Sequence, residues 1–94
     1  METNIGLSAY RVLVVGRVQG VGFRYFTSRE ANKLNILGHA KNLNNGDVEV
    51  QMYGEEAQLN LLLRWLEKGP ETATVDYIEI NKIEYMQKQG FQTL

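Results

Sequence analysis

Ninety-four residues, 44% of them hydrophobic and 22% charged, are the makings of one ordinary globular domain, too short for two cores. With no cysteine and one histidine, the chain has no disulfide scaffold, thiolate metal site or cysteine nucleophile, and any histidine-based centre would rest on His39 alone. The net charge of −1 hides an asymmetry, +3 over residues 1–47 and −4 over residues 48–94, and the basic first half suits a small anionic ligand.

In chain order, residues 1–7 read as a flexible extension. Ser8 to Val15 alternates as a strand, with Tyr10, Val12 and Val14 on one face and Leu13 and Val15 on the other. Phe23 to Leu34 follows as a helix whose Phe23, Phe26, Ala31 and Leu34 recur at helical spacing, with Asn35 fitted to cap its end. Leu37–Asn42 and Val48–Tyr53 are short strands around Asn44-Asn45-Gly46, a hairpin signal because Asn-Gly tolerates positive φ. Val48, Val50 and Met52 point to the core in this pattern, while Glu49 and Gln51 point to water. Glu55 to Lys68 is a second helix on a Leu59, Leu62, Leu63, Leu66 stripe widened by Leu61 and Trp65, and Gly69-Pro70 ends it. Val75 to Tyr85 is a long strand, and Gly90 separates it from a short final segment, Phe91 to Leu94.

This order, β-α-β-β-α-β with a possible short fifth strand, predicts an α+β ferredoxin-like sandwich: an antiparallel sheet with both helices on one face, filling residues 1–94 as a single domain. That fold hosts many activities, so function has to come from particular residues.

The most informative segment is the turn from the first strand into the first helix, Gly16-Arg17-Val18-Gln19-Gly20-Val21-Gly22-Phe23-Arg24. Glycines there let the backbone curl and turn N–H groups toward a common point. A helix start adds free N–H groups and the positive end of its dipole, and Arg24 adds a forked cation. A cation in a helix's first turn is unfavourable by roughly 0.3–1 kcal/mol, a sign that a bound dianion would reverse. The loop lacks the Gly-Lys-Ser/Thr of a Walker loop and the spacing of a dinucleotide fingerprint. From spacing alone it is either a cradle for one phosphoryl group or a plain glycine-rich turn. Asn42, before a hairpin, reads by itself as turn chemistry.

Gly16–Arg24 matches the Gly-x-Val-Gln-Gly-Val-x-Phe-Arg signature of the acylphosphatase family. Gly38–Val48 matches that family's Gly-x-Ala-Lys-Asn-x-x-x-Gly-x-Val signature, and Gly54 stands in its expected place. The chain therefore resembles the acylphosphatases, and the similarity continues through Gly69-Pro70 and the Ala73–Ile80 strand. The resemblance implies hydrolysis of acyl phosphates to a carboxylate and inorganic phosphate. It implies Arg24 and Asn42 as catalytic residues, Arg24 on the phosphate and Asn42 orienting the attacking water. The phosphate would also be held by the backbone of Gln19, Gly20, Val21, Gly22 and Phe23. His39 departs from the aromatic residue common there, and alternation puts it on the opposite sheet face from Asn42.

The residue inventory suits that reaction. A carboxylate, whose conjugate acid has a pKa of about 4, departs without protonation, so neither a general acid nor a metal is called for. The expectations are no metal, no cofactor, an acyl phosphate as small-molecule substrate, and a monomer. No apolar run approaches the roughly 20 residues of a membrane span, and Met1–Ala9 lacks the features of a secretory signal, so the expected setting is the cytoplasm, without membrane contact. A pI of about 5.8 and a third strand that is acidic and poor in aromatics speak against nucleic acid. The alternative is a non-catalytic module on the same fold that binds acyl or carbamoyl phosphate.

Overall fold

A computed structural model describes residues 6–94. The elements are β1 (Leu7–Arg17), α1 (Phe23–Lys33), β2 (Leu37–Asn42), β3 (Val48–Glu55), α2 (Glu56–Lys68), β4 (Thr74–Ile83) and β5 (Phe91–Thr93). The strands form one sheet in the order β4-β1-β3-β2-β5. Of the extension expected over residues 1–7, residues 1–5 lie outside the described residues. Leu7 already pairs with Glu55, and the Gly6 carbonyl accepts from the Glu56 N–H at 2.9 Å.

Alternation divides each central strand between two environments. Val12 and Val14 of β1 stand opposite Val50 and Val48 of β3, and Val50 stands opposite Ala40 of β2; all five are fully buried. Against this row α1 lays Phe23, Thr27 and Ala31, and α2 lays Leu59, Leu62 and Leu66. The α1 contact follows an i, i+4, i+8 line through Thr27, not through Phe26 as the apolar spacing suggested, because that line keeps one strip of the helix on the sheet. In α2 the stripe holds, but Leu61 is exposed and does not widen it. Asn35, with φ 57°, ends α1 in the left-handed conformation expected of it.

The sheet is mixed, not wholly antiparallel. Four strands are antiparallel; β5 returns beside β2 in parallel, Gly38 opposite Phe91 and Ala40 opposite Thr93. A parallel strand needs a crossover, and residues 84–90 provide it, passing Tyr85 and Lys88 over the ring of Tyr53. Tyr53 is thereby buried on the face without helices.

Gly16 serves the sheet. The β1–β4 register shifts between Val15 and Gly16, and a Cβ at Gly16 would strike the Thr74 carbonyl oxygen and lie 2.8 Å from the Asp76 nitrogen. Only glycine permits that close backbone approach at φ 143°. The curl of the following turn belongs to Gly20 and Gly22, at φ 75° and 79°.

Glu49 is the other departure. Its position faces away from the helices, as alternation requires, yet it is buried, because Arg11 Nε donates to one carboxylate oxygen at 2.6 Å and His39 Nε2 meets the other at 2.8 Å. Burial pushes the Glu49 carboxyl up, but hydrogen bonds and charge from His39 and Arg11 outweigh it and hold the group below its ordinary value. A lowered folded-state value stabilises the fold above the unfolded value and is lost as pH falls through the folded one. Glu49→Gln is thus expected to be less stable than the parent in urea at pH 7. The gap should shrink below about pH 4; a gap unchanged in acid would show that the interaction is not electrostatic.

Candidate active site

The turn between β1 and α1 sits at one end of the sheet, beside the β2–β3 hairpin. Val18 is buried and anchors it. Gly20 and Gly22 then bracket Val21 with positive φ, the kind of backbone that directs successive N–H groups inward. Gly22 is also the N-cap of α1, with no side-chain hydrogen bond to the cap and no acidic residue in the first turn. The helix thus begins with its N–H groups unclaimed by any side chain. The second helix differs: Glu56 occupies its first turn, and the Gly6 carbonyl accepts from that residue's N–H.

Two side chains pin the turn. Gln19 donates from Nε2 to the carbonyls of Leu43 at 2.8 Å and Asp47 at 2.9 Å, so one carboxamide joins the turn to both sides of the hairpin. From the other direction Thr72, just before β4, donates its hydroxyl to the Val21 carbonyl at 2.7 Å.

Arg24 and Asn42 come together around β5. Arg24 Nη1 donates to the Leu94 main-chain oxygen at 2.7 Å, and the Asn42 N–H approaches the same oxygen at 3.4 Å. The Leu94 N–H in turn donates to the Ala40 carbonyl at 2.8 Å, which extends the parallel ladder. The two residues line a cleft of about 320 Å³ with Val18, Gly20, Gly22 and Phe23. Of the residues singled out from sequence, Arg24, Asn42, Gly20, Gly22 and Phe23 share this cleft. Gln19 and Val21 do not line it; both are held as parts of the turn's frame.

Tyr25, Ser28 and Thr93 also line the cleft and were not anticipated. Ser28 lies one helical turn beyond Arg24, a spacing that could have marked it. Thr93 comes from a strand whose placement no local pattern announces. His39 lies elsewhere, on the face opposite Asn42, bonded to Glu49 and lining a separate small cleft with Gly38 and Lys88. Arg17 is exposed at the end of β1. Among the described residues no group of three or more His, Asp or Glu is placed to hold a metal ion.

Comparison with known proteins agrees with the site's two motifs. The acylphosphatase family model matches residues 10–93. The chain is 53% identical over 88 residues to an acylphosphatase of Psychromonas ingrahamii, an alignment covering 94% of each chain. Among solved structures, an acylphosphatase from Coxiella burnetii superposes with a TM-score of 0.93 at 32% identity, covering 100% of this chain and 99% of that one. One from Bacillus subtilis does so with a TM-score of 0.88 at 34% identity, covering 93% and 98%.

The double bond from Gln19 carries a prediction. Gln19→Ala removes two partly buried hydrogen bonds and is expected to lower stability by about 1–3 kcal/mol. Because the turn is then free to drift from the hairpin, inhibition by inorganic phosphate should weaken as well. A variant that loses stability but binds phosphate like the parent would reduce Gln19 to a packing role.

Proposed function

The chain belongs to the acylphosphatase family and hydrolyses the carboxyl–phosphate bond of acyl phosphates, and from that premise we propose how its residues divide the work. The observation that carries the proposal is one cleft in which the Gly20–Gly22 turn, the uncapped start of α1, Arg24 and Asn42 all present themselves. Three sources of positive potential meet there without an acidic side chain among them.

The phosphoryl oxygens take the N–H groups of the turn and of the first residues of α1, the backbone from Gln19 to Phe23. Arg24 spends one donor on Leu94 and has the rest of its fork for the dianion. Asn42 orients the water that attacks phosphorus in line with the leaving carboxylate. A carboxamide suits that task, since it both accepts from and donates to one water and does not repel the incoming phosphoryl group. The P–O bond to the carboxylate breaks as the water oxygen bonds to phosphorus, and a phosphoryl oxygen takes the water's proton. Carboxylate leaves without an acid. Catalysis is positioning and electrostatics, as in other phosphoryl transfers, with no covalent intermediate, metal or cofactor.

Every residue in this scheme comes from one chain and one domain, so a monomer suffices. The cysteine-free composition suits the reducing cytoplasm, and no basic or aromatic platform for nucleic acid is part of the scheme. A binding module without turnover is not favoured, since the relatives that match over nearly the whole chain are acylphosphatases.

Two substitutions separate the roles. Arg24→Ala should abolish phosphate inhibition and lower kcat/KM by at least the roughly 10²–10³ typical of losing one preorganised donor. Asn42→Ala should collapse kcat while inorganic phosphate still inhibits. Phosphate affinity lost in Asn42→Ala with kcat intact would reverse the assignment. Metal is tested separately: acetyl phosphate turnover should be unchanged after dialysis against EDTA, and activity that returns only with Mg²⁺ would overturn the metal-free scheme.

A further inference from the structure

The phosphoryl contacts account for only part of the cleft. Its volume of about 320 Å³ is about ten times the roughly 30 Å³ a water molecule occupies in the liquid. Besides Arg24, Asn42 and the residues of the turn and helix start, its lining is Tyr25, Ser28 and Thr93. Tyr25 is 59% exposed, an aromatic ring that the core does not use. It is braced all the same. Phe26 meets it edge-on with ring centroids 5.3 Å apart, and the Arg29 guanidinium lies 6.0 Å from its centroid. A large ring held in place at the mouth of a site, next in sequence to the phosphate-binding arginine, has little structural reason to be there.

We infer that Tyr25 is the wall of the subsite for the acyl group and favours aromatic or bulky apolar acyl phosphates over acetyl phosphate. The inference rests on the hydrolase reading above. Because the acyl group is bonded to the phosphoryl group, it must lie in the same cleft or in open solvent. The other cleft of similar volume, beside Phe26, Trp65, Pro70 and Thr72, shares no lining residue with the first and cannot receive it. Within the phosphoryl cleft Val18 and Phe23 are buried in the core, and the walls beside Tyr25, namely Ser28 and Thr93, are small and polar. The Ser28 hydroxyl is already committed to the Tyr25 carbonyl at 2.8 Å, which leaves it only lone pairs to offer. Phe23 is only 1% exposed, so the Tyr25 ring is the accessible aromatic surface of the lining, and an aryl ring can meet it edge-on or offset-stacked.

The test compares kcat/KM for benzoyl phosphate and acetyl phosphate in the purified full chain, in Tyr25→Ala and in Tyr25→Phe. The side chain is exposed, so neither variant should perturb the fold. In Tyr25→Ala the benzoyl-to-acetyl ratio is expected to fall about three- to tenfold, the size of one aromatic contact, with the loss in KM for benzoyl phosphate. Tyr25→Phe, which keeps the ring, should hold the parental ratio. A ratio unmoved in Tyr25→Ala, or equal losses for both substrates, would overturn the subsite and leave the hydrolase reading intact. A parent chain that hydrolyses neither compound would sink the hydrolase reading, and the subsite with it.

Discussion

The cleft exists because a turn from one end of the sequence is held against a hairpin from its middle, and one carboxamide does most of the holding. Gln19 reaches the carbonyls of Leu43 and Asp47, the residues that flank the hairpin's tip. Both carbonyls already accept within the hairpin, Leu43 from the Gly46 N–H at 3.2 Å and Asp47 from the Leu43 N–H at 2.9 Å, so Gln19 takes a second lone pair on each and ties the turn to a loop that closes on itself. With Thr72 on the other side, the turn is clamped between the two halves of the fold. Gly20 and Gly22 can then adopt positive φ without making the segment loose. Conformational freedom of the residue type and rigidity of the folded loop coexist because side chains from outside the glycines supply the restraint.

Where local chemistry decided the structure, the sequence was legible. The alternation of Val48, Val50 and Met52, the Leu59–Leu66 stripe and the Asn-Gly turn each act over a few residues, and each element formed where its pattern lay. The errors share a different cause. Glu49 stands where alternation puts a solvent-facing residue, and burial comes from Arg11 and His39 on neighbouring strands. Gly16 looks like a member of the glycine turn until the Thr74 carbonyl, distant in sequence, is seen against it. The parallel placement of β5 depends on a crossover with no sequence signature. For the site, the two motifs named Arg24 and Asn42, while the Gln19 side chain, Thr72, Tyr25 and Thr93 matter through contacts that only the fold creates.

The two helices differ in what meets their starts, and the difference supports placing the proposed anion site at α1. Both have free N–H groups and the positive end of a dipole. At α2 an acidic residue and a backbone carbonyl already meet that potential. At α1 nothing acidic does, and the glycine N-cap brings no competing side chain. The charge asymmetry of the chain thus has a local counterpart: the acidic half places Glu56 in the first turn of its own helix, and the basic half places no acid in the first turn of its helix.

Arg24 would seem a poor choice at such a place, since its charge opposes the dipole. Its bond to the Leu94 main-chain oxygen holds it in place there. The bond fixes one edge of the guanidinium and leaves its other N–H groups to the phosphoryl group in the scheme proposed above. The same oxygen lies near the Asn42 N–H, so β5 sets the arginine and the asparagine relative to each other through one shared acceptor. In the scheme proposed above such placement stands in for a protein acid or base, because the carboxylate leaves unprotonated and a phosphoryl oxygen takes the water's proton.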